Sequence, residues 1–164
     1  MSIAVCPGSF DPFTLGHLDV VRRARTMFDE VVVAVAHNSG KQPLLDVAAR
    51  VELAQQAVAG LDGVRVEAVD GLLAAFVESL GAAAVVKGLR GGADFDAEQP
   101  MALMNRHLCG VETVFVIGDP ALAHVASSLV KDVLRHGGDV SDLVPGPVAA
   151  ALRAAERLDT DKDG

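Results

Sequence analysis

Apolar and polar positions alternate along the chain between short β-like runs and helical stripes. Ile3-Ala4-Val5-Cys6 is the first run, closed by Pro7-Gly8. From Leu15 to Phe28, apolar residues recur at Leu18, Val21, Ala24 and Phe28, the spacing of one helix face, while Arg22, Arg23 and Arg25 fall on a solvated one. The β-branched run Val31 to Ala36 is too short for a buried helix and predicts a strand. An amphipathic helix follows over Val47 to Val58, with Asp46 as its N-cap. Val64 to Val69 alternates as a strand, and Leu72 to Leu80 reads as a helix stopped by Gly81. Ala83 to Val86 predicts a fourth strand ending at Lys87-Gly88, and Met101 to Leu108 a helix. Thr113 to Ile117 predicts a fifth strand, Ser128 to Arg135 a helix closed by Gly137-Gly138, and Pro147 the first turn of a last helix reaching Leu158.

Strands that are apolar throughout belong in a parallel sheet covered on both faces. With right-handed crossovers, the expected class is α/β: a Rossmann-like doubly wound sheet of five parallel strands, helices on both faces. Such sheets hold ligands beyond the carboxyl ends of their strands, where the strand order reverses. The polar residues just after the strands are therefore the ones to inspect. One domain is expected over residues 1–158, with 159–164 a tail too polar to pack.

Composition narrows the partners. A chain of 164 residues, 51% hydrophobic, is long enough for one independent core. With 14 basic against 22 acidic residues the net charge is −8, which speaks against nucleic acid or an anionic membrane as partner. A small anion is still compatible, because a few local cations outweigh a distant net charge. Cys6 and Cys109 form neither a disulfide framework nor a zinc signature. No apolar run approaches the ~20 residues of a membrane span, and no basic leader precedes the first strand. A cytoplasmic protein is expected.

The segment after the first strand is the richest in chemistry: Pro7-Gly8-Ser9-Phe10-Asp11-Pro12-Phe13-Thr14-Leu15-Gly16-His17. Gly8 permits close backbone approach and Ser9 offers a hydroxyl. Gly16 and His17 stand in a helix's first turn, where free N–H groups and the positive helix end attract phosphate. A histidine there can donate to a phosphoryl oxygen as charge grows on it, although a lone histidine more often only caps or packs. Lys41 and Lys87 each follow a strand, and Ser127-Ser128 precedes a helix. Isolated lysines are usually solvated, and such serines can be N-caps alone. The sequence offers no Ser-His-Asp or Cys-His arrangement.

Gly8-Ser9-Phe10-Asp11-Pro12 with Thr14-Leu15-Gly16-His17 resembles the T/HxGH motif of the nucleotidyltransferase superfamily. Lys41, Lys87-Gly88-Leu89-Arg90, Ala93-Asp94-Phe95, Met104-Asn105-Arg106-His107, Ser127-Ser128-Leu129-Val130-Lys131-Asp132 and Gly138-Asp139-Val140 narrow the match. In that order and spacing they resemble the bacterial phosphopantetheine adenylyltransferase family. The resemblance implies adenylyl transfer from ATP to 4′-phosphopantetheine, giving 3′-dephospho-coenzyme A and pyrophosphate, with Mg²⁺ carried by the ATP. It implies that His17 stabilises the transition state, aided by Lys41 and Arg90, and that Ser9, Lys41, Leu73 and Lys87 contact phosphopantetheine. For ATP it implies Ser9, Phe10, His17, Gly88, Leu89, Arg90, Glu98, Leu122, Ala123, His124, Val125, Ala126, Ser127 and Ser128. A homohexamer (a dimer of trimers) and feedback inhibition by coenzyme A are implied as well.

Several positions depart from the family pattern. Ala97 stands where an aromatic is usual, and Leu122, His124 and Ala126 replace parts of an aromatic-and-serine segment. Pro100 sits where the family helix already runs and is tolerable only in a first turn. These changes cluster on the ATP side and predict reduced nucleotide affinity or relaxed base selectivity, with the reaction type unchanged. Two alternatives stay open: a nucleotidyltransferase acting on nicotinate mononucleotide or glycerol phosphate, and a non-catalytic adenine-nucleotide sensor. The residues Asn105, Arg106 and His107 are expected to support structure or subunit contacts, and His37, His124 and His136 to lie on the surface.

Overall fold

The computed structural model describes residues 1–37 and 42–160. Its elements run β1 (Ile3–Gly8), α1 (Leu15–Met27), β2 (Glu30–Ala36), α2 (Val47–Val58), β3 (Val64–Val69), α3 (Leu73–Ser79), β4 (Ala84–Leu89), α4 (Gly92–Cys109), β5 (Glu112–Ile117), α5 (Ser127–Arg135) and α6 (Gly146–Thr160). A 3-10 turn over Pro120–Leu122, which the pattern did not predict, links β5 to α5. The strands form one parallel sheet in the order β3-β2-β1-β4-β5. The order reverses between β1 and β4, as doubly wound topology requires.

Each strand presents alternate residues to the two faces, and both faces are buried. Ala4, Cys6, Val31, Val33, Val35 and Val66 meet Leu18 and Val21 of α1, Leu53 and Val58 of α2, Val130 of α5 and Leu152 of α6. On the other face, Val5, Val32, Ala34 and Val85 pack with Val77 of α3. Helices therefore cover both faces, as the continuous apolar runs predict.

Most boundaries fall within two residues of the sequence expectation, α6 running on to Thr160, and the differences at β1, β4 and α4 have physical causes. Strand β1 continues through Pro7-Gly8, because its pairing with β2 extends to Gly8–Val35. Pairing with β4 has ended by then, so the N–H that Pro7 lacks costs that ladder nothing. Strand β4 likewise runs on to Leu89, paired with Ile117 of β5. Helix α4 begins at Gly92, nine residues before Met101, and encloses Pro100 in its interior. Pro100 is therefore not a first-turn residue. The carbonyl four residues before it gets no intrahelical bond, a loss tolerable because this stretch of α4 is exposed and water can serve instead.

Arg25 also departs from the solvated-face reading. It is half-buried and donates to the Asp62 and Phe28 carbonyls, tying the end of α1 to the turn before β3. Lys41 and the last residues of the tail, 161–164, lie outside the described residues.

Candidate active site

The sheet splits at its carboxyl end. Strands β1 and β4 pair at Ala4–Ala84 and Val5–Val85, and beyond Val5 each stays paired only with its outer neighbour. Two adjoining clefts open there, one of about 400 Å³ and one of about 280 Å³. Pro7, Gly8, Ser9, Lys87 and Glu98 line both.

The larger cleft gathers Ser9, Phe10, His17, Lys87, Gly88, Leu89, Arg90, Glu98, Leu122, Val125, Ala126, Ser127 and Ser128, while Leu73 lines the smaller one. Ala123 and His124 do not line either cleft. Both are exposed at the end of the 3-10 turn, where the Ala123 N–H bonds the Pro120 carbonyl. Lys41 falls on the residues left undescribed. Ala97 and Pro100 are exposed and outside both linings. Of the ATP-side departures only Leu122 and Ala126 face the larger cleft.

His17 both caps a helix and faces the cleft. Thr14 is the N-cap of α1: its hydroxyl oxygen accepts the His17 N–H at 3.3 Å, and the Thr14 N–H donates to His17 Nδ1 at 3.0 Å. With Nδ1 accepting, the proton of the neutral ring lies on Nε2. Burial first, then the positive charges of Lys87 and Arg90, push the His17 pKa down to about 4. The ring is therefore neutral at pH 7. Phe10 packs edge-on against it with centroids 4.9 Å apart, and Phe13 lies at 5.5 Å.

Two helix N-termini open into the same space. In the first turn of α1 the N–H groups of Leu15 and His17 are taken by Leu143 and Thr14, leaving that of Gly16 unpaired among the described residues. Helix α5 has no side-chain cap, so the N–H groups of Ser127, Ser128 and Leu129 have no partner among the described residues. The Ser127 hydroxyl already donates to the Pro12 carbonyl at 2.8 Å.

The cations here are held by carboxylates. Arg90 grips Asp94 through Nε and Nη2, at 3.0 and 3.1 Å, and its Nη1 lies 3.4 Å from the Val125 carbonyl. The guanidinium holds the Asp94 carboxyl below its ordinary range, chiefly by hydrogen bonding. Lys87 Nζ lies 3.3 Å from Glu98 at the boundary of the two clefts. Asp19 is raised by burial, but hydrogen bonds from Arg23 and the Asp119 N–H outweigh this and lower it overall. The Cys6 thiol is pushed up to about 12 by burial and is no nucleophile at neutral pH.

Sequence reasoning missed three residues around the clefts. Asp11 is buried, accepts the Leu44 and Leu45 N–H groups at 2.9 Å each, and pairs with Lys131 at 3.4 Å. Arg50 is buried on the inner face of α2, where the apolar spacing Arg50, Leu53, Ala54, Val58 was the available signal. Asn105, expected to support structure or subunit contacts, is buried in the wall of the smaller cleft, which Thr113 also lines; the Thr113 hydroxyl oxygen is buried with no hydrogen-bond partner among the described residues. His37 lies on the rim of that cleft, exposed, and His136 is exposed beside Asp132.

The cytidylyltransferase-like family matches residues 5–133. A phosphopantetheine adenylyltransferase of Bifidobacterium longum (strain DJO10A) is 49% identical over 162 residues, covering 96% of this chain and 98% of the relative. One from Kocuria rhizophila is 54% identical over 153 residues, covering 93% and 98%. The crystal structure of the lipopolysaccharide core biosynthesis protein from Thermoplasma volcanium GSS1 superposes with a TM-score of 0.55 at 25% identity, over 73% of this chain and 97% of that one. Near-complete coverage at about half identity, on a cytidylyltransferase-like fold, decides the matter: the chain belongs to the phosphopantetheine adenylyltransferase family.

Proposed function

We infer that the chain is a nucleotidyltransferase of coenzyme A biosynthesis. It moves the adenylyl group of ATP onto 4′-phosphopantetheine, giving 3′-dephospho-coenzyme A and pyrophosphate. Membership of the family supports this, and one feature of the site carries the chemistry: two open helix ends, a neutral histidine donor and two cations converge on one cleft. A phosphate monoester oxygen attacks the α-phosphorus of ATP, and the bond from that phosphorus to the bridging oxygen breaks to release pyrophosphate. The nucleophile is already anionic, so positioning and charge stabilisation suffice.

In this reading ATP takes the larger cleft and the acceptor the smaller one, with their phosphates meeting at the shared rim of Ser9 and Lys87. His17 donates from Nε2 to the α-phosphate as its charge grows. Lys87, with Lys41, holds the acceptor phosphate, and Glu98 yields Lys87 to it. Arg90, beside Gly88 and Leu89, reaches the polyphosphate. The free N–H groups of Ser127, Ser128 and Leu129 receive the β- and γ-phosphates. For Ser127 the N–H serves, because its hydroxyl is committed to Pro12. Leu73 and Asn105 border the pantetheine arm.

Carried in by ATP, Mg²⁺ would neutralise part of the polyphosphate charge. Among the described residues no group of three His, Cys, Asp or Glu side chains gathers to hold a metal. Coenzyme A shares both halves of the product and so suits the same clefts as a feedback inhibitor. A homohexamer accords with the exposed Met101, Met104 and Leu108 along α4 and Ile117 on the edge strand β5. No helix among the described residues is long and apolar enough to cross a membrane, and a cytoplasmic setting suits the substrates.

Pyrophosphate release tests the assignment. With ATP and Mg²⁺, 4′-phosphopantetheine should support turnover, while nicotinate mononucleotide and glycerol 3-phosphate should not. Turnover with either of those instead, or ATP binding without turnover on any acceptor, would overturn it.

A further inference from the structure

Beneath the loop from β1 to α1 lies a buried charge that no step above employs. Arg50, in the first turn of α2, is 2% exposed and lines neither cleft. Its Nε donates to the Leu45 carbonyl at 3.0 Å, and its Nη1 donates to the Ser9 carbonyl at 2.7 Å and the Ala36 carbonyl at 3.0 Å. All three acceptors are neutral main-chain oxygens. Burying a cation on such partners is expensive, and an apolar side chain would fill the same volume without that cost. The bonds hold the end of β1 against the end of β2 and the approach to α2.

Directly after Ser9 the backbone is strained. Phe10 has φ of 50°, in the left-handed region that an aromatic residue avoids. Such a conformation persists only where its surroundings over-determine it. Arg50 anchors the carbonyl just before Phe10, and the Asp11 carboxylate anchors the chain just after it, through Leu44 and Leu45. In that conformation the Phe10 ring stacks on Phe13 at 5.4 Å and stands edge-on to His17 at 4.9 Å.

We propose that Arg50 is a positioning residue of the transfer site: by fixing the Ser9 carbonyl it keeps Phe10 in its left-handed turn, and so holds the Ser9 hydroxyl and the His17 ring in register for two phosphates. The inference rests on the adenylyl-transfer reading and deepens it. Arg50 acts through Ser9 and Phe10 and touches no substrate.

The test compares Arg50→Met and Arg50→Lys with Val58→Ala, a core change on the same helix. Calorimetric titration with ATP counts the folded sites, and kcat is expressed per ATP site. Arg50→Met should still bind one ATP per chain while kcat per site falls about 10- to 100-fold, as a sub-ångström to ångström misplacement does, and the acceptor KM rises. Arg50→Lys keeps the charge but lacks the planar fork that serves several acceptors, and should recover part of the rate. Val58→Ala should lose stability with kcat per site unchanged. A second readout needs no turnover: the NMR signals of the His17 ring protons, displaced by the Phe10 ring, should move in Arg50→Met and stay in Val58→Ala. Wild-type kcat per site and unmoved His17 signals in Arg50→Met would overturn the proposal, as would equal losses in Val58→Ala. Should Arg50→Met not fold, Arg50→Lys is judged by the same criteria. A wild-type chain that releases no pyrophosphate sinks the functional reading alone, and the His17 signals still decide the role of Arg50.

Discussion

Substitution at His17 separates two tasks that one imidazole performs. Its Nδ1 accepts the Thr14 N–H at 3.0 Å, and Thr14 is 1% exposed, so the ring is what satisfies that buried donor. His17→Ala should therefore cost about 1–3 kcal/mol of stability, the penalty for a buried donor left unpaired. For a chain of this size that lowers the melting temperature by about 2–4 °C per kcal/mol. The other ring nitrogen carries the proton that faces the cleft, and its loss should cut turnover by about 10²–10³, as removal of one donor to developing charge does elsewhere.

His17→Glu divides these effects. Glutamate three residues after a threonine N-cap is the common partner in a capping box, so the Thr14 N–H regains its acceptor and stability returns near to wild type. A carboxylate offers no proton to the α-phosphate, so turnover falls at least as far as in His17→Ala. Urea unfolding reads the first effect, and pyrophosphate release at saturating substrate reads the second. Wild-type turnover in either variant would refute the donor role. A His17→Ala protein as stable as wild type would refute the capping argument.

Three further outcomes follow from particular contacts. The His17 pKa is lowered from 6.5 to about 4 by folding, so below pH 6.5 the unfolded chain takes up a proton that the native state refuses. Stability is thus fully present above pH 6.5 and erodes as pH falls toward 4, by about 3 kcal/mol over that gap; urea midpoints at pH 7 and pH 5 read it, and His17→Ala should flatten the slope. Pro100→Ala should raise the melting temperature, since it restores a backbone donor inside α4 and removes a penalty of up to about 3 kcal/mol; an unchanged or lower value would show that packing has adapted to the ring. Gly88→Ala would drive a methyl carbon into a Val20 methyl, and thermal unfolding should report a loss of about 1–3 kcal/mol from overpacking, with no loss if α1 shifts freely.

Periodicity located what it could. The bounds of α2 and β3 match the structure residue for residue, and Asp46 caps α2 by accepting the Ala49 N–H. The same reading stopped α4 short, because Gly91-Gly92 and Pro100 act locally as breakers while the tertiary fold runs a helix through all but the first of them. It also ended β1 at Cys6, since a proline's effect depends on whether its missing donor had a partner, which only the sheet order reveals. The motif residues could be found because they follow strands, and strand ends are legible. Arg50 and Asp11 were not, because their partners are backbone groups, mostly far along the chain, and main-chain acceptors leave no trace in residue identity. Asn105 was passed over as structural because a buried amide and a wall amide have the same spelling.

The parting of β1 from β4 after Val5 has a mechanical corollary. Each strand remains zipped to its outer neighbour, β1 through Gly8 and β4 through Leu89, so the gap has stiff jambs rather than a flap. A change at Asn105 or Ser128, each in the wall of one cleft, can retune one guest alone, whereas a change to the doorsill of Pro7, Gly8, Ser9, Lys87 and Glu98 must disturb both guests together.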